Sequence, residues 1–197
     1  MKKVLLLFSC LLSLSAFSQY TIGSKVAAFS LKNIDGKMVG MNYQENAKGV
    51  IVIFTCNHCP FSIAYEDRII ALHEKYAPLG YPVLAINPNN VLKSPDDSYE
   101  KMIIRAAEKK FPFPYAYDET QEVAKAFGAK RTPHVFILKK QKADFVLKYI
   151  GAIDSDSESA EMAKTKYAED ALNALLKNKD PEPSEVKAIG CTIKWKD

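Results

Sequence analysis

The sequence predicts an α/β sandwich built on a mixed β-sheet, and three observations carry that expectation. The segment "GVIVIFT", residues 49–55, is a continuous β-branched run without alternation, as a strand covered on both faces requires. Such runs alternate with stretches of helical spacing over the first two thirds of the chain. Two adjacent strands and a closing helix follow, which gives a sheet with both parallel and antiparallel neighbours.

In chain order, "AAFSLKNIDGKMVGM" places Asp35-Gly36 between short apolar segments, a hairpin signal because that turn needs positive φ. The buried strand at 49–55 comes next. A helix over 61–76 follows, with Ile63, Ile69, Ile70, Leu72 and Tyr76 on one stripe and Pro60 tolerated at its start. "YPVLAINPN" is a second buried strand. "SPDDSYEKMIIRAAEKK" predicts a helix capped by Ser94, with Pro95 first, acids in the first turn and lysines at the end. A short "FPYAY" strand precedes a helix over about 119–127, stopped by Gly128. The strands "HVFILKK" and "DFVLKYIG" then lead to a last helix over about 159–176, with Ala160, Ala163, Tyr167, Ala171, Ala174 and Leu175 on one face.

The 197 residues, 48% of them hydrophobic, suffice for one domain. Residues 1–18 read as a secretory signal: Lys2 and Lys3 precede an apolar stretch from Val4 to Phe17, and Ala16 and Ser18 have cleavage spacing. That stretch is too short to span a bilayer comfortably, so no stable membrane insertion is expected after cleavage. Residues 19–178 form the domain and 179–197 a Pro-rich, charged C-terminal tail. Cleavage leaves 25 basic against 23 acidic residues, lowering the formal charge from +4 to +2. No basic block remains, which argues against a nucleic-acid partner. The expected location is across the inner membrane, in the periplasm, where disulfides persist.

Three cysteines remain in the mature chain: Cys56, Cys59 and Cys191. A Cys-x-x-Cys can hold a metal, form a structural bridge or shuttle electrons. Here Cys56 closes a buried strand and Cys59 opens a helix, so unpaired backbone N–H groups and the helix dipole are expected to lower the Cys56 pKa and activate its thiolate. Cys59 would then resolve the mixed disulfide, and a protonated His58 between them would favour the thiolate further. A static bridge of that length constrains little chain and stabilises little. In "RTPHVF", Pro133 cannot donate to a ladder and so sits at a strand's start.

Residues 22–178 resemble the thioredoxin-like superfamily, in particular the redoxins that include envelope thiol-disulfide reductases and alkyl hydroperoxide reductase/thiol-specific antioxidant proteins. The segments that carry the resemblance are "FSLKNIDGK", "FTCNHCPFSIAYEDR", "FPFPYAYDETQEVAKAFGA" and "TPHVFIL". It implies a thioredoxin-like three-layer sandwich with an N-terminal hairpin and an inserted helix-strand segment. It also implies attack by Cys56, resolution by Cys59, a cis Thr132–Pro133 bond opposite them, and a Thr132 backbone that pairs with an extended substrate. The ending "GCTIKW" looks like that of a subset of these proteins. Departures are present too. Thr55 stands where thioredoxin has Trp, and the strand "VIVIF" lacks the buried Asp, leaving Glu66 and Asp67 as candidate proton acceptors. Ile53 and Gly49 occupy the positions where peroxiredoxins place Thr and Pro.

The leading functional expectation is an extracytoplasmic thiol-disulfide oxidoreductase that needs no cofactor. Its partners would be protein or small-molecule thiols and disulfides and a redox partner that recycles it. Alternatives are a thiol peroxidase using the same cysteines, or a protein binding Cu or Zn through Cys56, Cys59 and either His134 or His58. Cys191 has two readings. Either Ile189, Ile193 and Trp195 pin the tail and Cys191 fills space, or Cys191 is a third redox thiol exchanging with Cys56 or Cys59.

Overall fold

The computed structural model describes residues 19–197, so the expected signal segment lies outside the described residues. The chain runs β1 (Lys25–Val26), β2 (Leu31–Asn33), β3 (Met38–Val39), β4 (Gly49–Phe54), α1 (Pro60–Tyr76), β5 (Val83–Asn87), a 3₁₀ turn (Pro95–Asp97), α2 (Tyr99–Lys109) and β6 (Tyr115–Tyr117). It continues through α3 (Glu122–Phe127), β7 (Arg131–Thr132), β8 (His134–Gln141), β9 (Asp144–Gly151), α4 (Tyr167–Leu176) and β10 (Cys191–Thr192). Eight strands form one sheet in the order β1-β9-β8-β4-β5-β6-β2-β3. The pairs β4–β5 and β5–β6 are parallel, and the rest antiparallel, so the sheet is mixed as expected.

Strand β4 occupies the centre because its side chains are apolar on both faces. Ile51 and Ile53 pack into a core shared with α1, α2 and α4. Val50, Val52 and Phe54 face the opposite layer, where α3 is joined by the N-terminal segment, the β2–β3 hairpin and Ile193 of the tail. All five are fully buried. A one-residue slip would exchange the two faces and carry Phe54 away from Phe127 and Phe136, so side-chain packing holds the register of β4. The C-terminal end of β4 is thereby held rigidly where α1 begins.

Two helices differ from the expectation. Ser98, not Ser94, caps α2, accepting from the Lys101 N–H at 3.3 Å, while Pro95–Asp97 forms a separate 3₁₀ turn that directs Asp97 inward. The closing helix begins only at Tyr167, so Ala160 and Ala163 are not helical. The reason is local competition: the Asp156 carboxylate accepts the N–H groups of Glu158 and Ser159, both at 2.9 Å. Arg68 fixes the same segment from α1, pairing with Asp154 at 2.9 Å and donating to the carbonyls of Asp156 and Ser157.

Candidate active site

The site starts at the end of β4. Thr55 still donates to the Ile86 carbonyl, continuing the parallel ladder, and the chain then turns through Cys56, Asn57 and His58 into α1. Cys59 is the N-cap residue of α1 in an extended conformation, and its side chain makes no capping hydrogen bond. Cys56 and Cys59 are each only 3% exposed. The Cys56 sulfur lies 3.3 Å from the Thr132 hydroxyl and 3.6 Å from that of Ser62. The Cys59 sulfur lies 3.4 Å from the Thr132 carbonyl oxygen. Thr132 is fully buried, and the bond to Pro133 is cis.

The disulfide is not the expected one within the Cys-x-x-Cys. Cys59 is bonded to Cys191, 132 residues away, with a Cα–Cα distance of 6.2 Å, and Cys56 is a free, buried cysteine. The physical reason lies in the tail. Strand β10 pairs antiparallel with β7, placing Cys191 directly across from Thr132, the edge where the resemblance puts an extended substrate. Other contacts anchor the tail along its length. Arg131 donates to the Gly190 carbonyl at 3.1 Å, and the Lys194 N–H donates to Asn89 Oδ1 at 2.9 Å. Gln121 donates to the Lys194 carbonyl at 2.8 Å and accepts the Lys196 N–H at 2.7 Å. Ile193 is buried, Trp195 packs beside it, and Ile189, expected as a third anchor, is exposed instead.

Burial also reverses the expected shift of the Cys56 thiol. Desolvation pushes its pKa up, and the nearby Asp97 carboxylate pushes it further. The hydroxyls of Thr132 and Ser62 and the backbone N–H of Cys59 oppose both effects without overcoming them.

Asp97 is the residue that sequence reasoning missed. It is fully buried and accepts hydrogen bonds from the Asn57 N–H, Asn89 Nδ2 and the Ser94 hydroxyl, each at 2.7 Å. His58 Nδ1 lies 3.1 Å from its second oxygen and 3.3 Å from the Ser94 hydroxyl. The imidazole, expected to support the thiolate directly, is therefore turned to Asp97. The only sequence signal was the pair Asp96-Asp97, which reads as first-turn charge on a helix. Glu66 and Asp67, the candidates drawn from α1, are otherwise engaged. Glu66 is buried in a bidentate pair with Arg105 at 2.7 and 2.6 Å, and Asp67 is exposed and pairs with Lys109 at 3.2 Å. Glu66 and Arg105 line, with Cys56, Phe111, Phe113 and Tyr115, a narrow cavity behind the cysteine.

His134 is buried at the start of β8. Its Nδ1 accepts the Lys130 N–H at 3.3 Å, and burial, with Lys130 nearby, pulls its pKa down to about 4. Among the described residues no group of three or more His, Cys, Asp or Glu side chains is placed to hold a metal ion.

Comparison with known proteins places this arrangement. The AhpC/TSA family model matches residues 22–154. A structure described as an uncharacterized conserved protein from Geobacillus kaustophilus is 36% identical, with a TM-score of 0.80 over 90% of this chain and 94% of that one. A hypothetical protein from Sinorhizobium meliloti is 30% identical, with a TM-score of 0.81 over 91% and 97%. The thioredoxin domain of a thiol-disulfide oxidoreductase from Bacteroides vulgatus is 15% identical, with a TM-score of 0.53 over 68% and 91%, a likeness of fold alone. No curated protein matches the chain significantly. The matched span runs from ahead of the hairpin, through the cysteine turn and the Thr132–Pro133 loop, to the residue that Arg68 holds after β9, and over that span the chain belongs to the AhpC/TSA family.

Proposed function

We propose that the chain is an extracytoplasmic thiol-disulfide oxidoreductase working through Cys56 and Cys59. The observation that carries the reading is the convergence of both sulfurs on Thr132 at the end of the central strand, within 3.4 Å of its polar atoms. In the reduced protein the Cys56 thiolate attacks one sulfur of a partner disulfide, forming a mixed disulfide and expelling one partner thiolate. The Cys59 thiolate then attacks Cys56 Sγ and expels the second. The partner gains two electrons, the chain retains a Cys56–Cys59 bond, and a dithiol partner restores the thiols. The Thr132 and Ser62 hydroxyls, both able to donate to sulfur, favour the ionised nucleophile.

Residues 1–18 act as a cleaved signal, the domain spans 19–178, and 179–197 is the tail. Ile53 and Gly49 argue against a peroxidase of the peroxiredoxin kind, because both belong to the packed strand and neither offers a hydroxyl at the sulfur. The test sets the two chemistries side by side. The reduced full chain is mixed with a disulfide-bonded peptide or with hydrogen peroxide, and thiol release and peroxide consumption are followed. Peptide reduction that falls to background in Cys56→Ser is expected. Faster turnover of peroxide than of peptide would overturn the reading in favour of a peroxidase.

A further inference from the structure

Thr132 touches all three cysteines: its hydroxyl meets Cys56, its carbonyl meets Cys59, and its backbone pairs with Cys191. From this juxtaposition, and resting on the oxidoreductase reading above, we infer that Cys191 is a third reacting thiol, carried on a tail that occupies the substrate edge of its own chain. The step is an internal exchange. The Cys56 thiolate attacks Cys59 Sγ, a Cys56–Cys59 bond forms, the Cys59–Cys191 bond breaks, and Cys191 leaves as a thiolate that takes up a proton from solvent. The proton lost by Cys56 passes to solvent, and no oxidant or reductant is consumed.

The tail has the features of a bound ligand rather than of a loose end. A Cβ on Gly190 would fall 2.3 Å from the Thr132 carbonyl oxygen and 2.7 Å from its carbonyl carbon, so only glycine permits this approach to the backbone. The Arg131 and Gln121 side chains donate to main-chain carbonyls of the tail and the Asn89 side chain accepts one of its N–H groups, as they would for an incoming strand. Cys191 is half-buried, whereas Cys56 and Cys59 are closed off. Of these three cysteines it is the most exposed residue.

Occupation of the edge is exclusive. The β7 backbone groups that pair with Cys191 and Thr192 cannot pair at the same time with another strand on that side. The two disulfide isomers thus differ in more than one bond. With Cys59–Cys191 formed, the tail covers the edge; with Cys56–Cys59 formed, the covalent tie is gone and a substrate strand can displace it.

Peptide mapping of the oxidised full chain tests this. The protein is held at a series of pH values, quenched with N-ethylmaleimide, digested without reduction and analysed by mass spectrometry. Wild type should yield both Cys59–Cys191 and Cys56–Cys59 peptides, with the second rising and Cys191 becoming alkylated as pH rises. Cys56→Ser should yield only Cys59–Cys191. Gly190→Ala should shift the ratio at least tenfold toward Cys56–Cys59, and Arg131→Ala, which leaves the glycine contact intact, should shift it in the same direction by less. A single disulfide in wild type at every pH, unmoved by either tail variant, would overturn the inference. Peptide reduction through Cys56 without any exchange at Cys191 would sink the relay alone, while exchange without peptide reduction would sink only the proposed function.

Discussion

The turn at residues 55–59 brings two cysteines to Thr132 and the tail at 190–195 brings a third, but the two segments are held there by opposite means. The turn is the continuation of a fully buried central strand and cannot move without unpacking both cores. The tail is held by the short β10–β7 pairing, by Ile193 and Trp195 on one core, by hydrogen bonds between its main chain and the Arg131, Asn89 and Gln121 side chains, and by a disulfide. Half of the site is therefore part of the scaffold and half is removable. A site with one fixed and one detachable wall can open at its edge without rearranging the fold.

The sharpest way to break this comparison is to weaken the removable half. Ile193→Ala removes the buried anchor and should destabilise the protein by about 2–4 kcal/mol in denaturant unfolding, whereas Ile189→Ala, at an exposed position, should stay within about 0.5 kcal/mol. Equal losses would mean that the tail is fixed along its whole length.

His134 probes the floor beneath the tail. Its pKa is depressed to about 4 in the folded protein against an ordinary 6.5, so the stability it contributes is present above pH 6.5 and is lost as pH falls toward 4, when the unfolded chain takes up the proton first. The loss over that window should be about 3 kcal/mol. His134→Asn keeps an acceptor for the Lys130 N–H and should show a shallower fall between pH 6.5 and 4 in parallel melts; coincident profiles would remove His134 from the account.

The smallest effect concerns the fixed half. Asp97 pushes the Cys56 thiol up, so Asp97→Asn should lower the midpoint of its alkylation profile. His58→Ala removes the imidazole beside Asp97, leaves that carboxylate less compensated, and should raise the midpoint by a smaller amount. Shifts of the same sign in both variants would contradict an electrostatic route through Asp97.

Much of the fixed half was legible in the sequence because it depends on local patterns. "GVIVIFT" identifies a two-sided strand, Pro60 marks the helix start, and the cysteine spacing places both sulfurs at one strand end. Gly128 stops α3 as expected, in a left-handed conformation at φ 67°. What local pattern could not convey was pairing over long distance. Nothing in "GCTIKW" states that it lies along Arg131–Thr132, and without that pairing Cys191 reads either as a packing residue or as a third redox thiol with no single assigned partner. Asp97 was hidden for a related reason, since a carboxylate after Ser94-Pro95 fits a helix start until the 3₁₀ turn directs it inward. The Cys56 pKa shifts opposite to the expectation because the helix-terminus argument treats the sulfur as accessible, and burial removes that condition.

The bond between Cys59 and Cys191 also changes what cleavage of the chain can do. It ties α1 to β10 in one covalent ring that holds every element between them, and closing a loop of that size is worth about 5 kcal/mol in the chain-entropy model. The turns at 155–166 lie inside the ring, where Glu158 and Met162 are exposed. A protease that cuts once there nicks the molecule without dividing it, and the two pieces migrate together on a gel until a reductant opens the ring or the cysteines exchange.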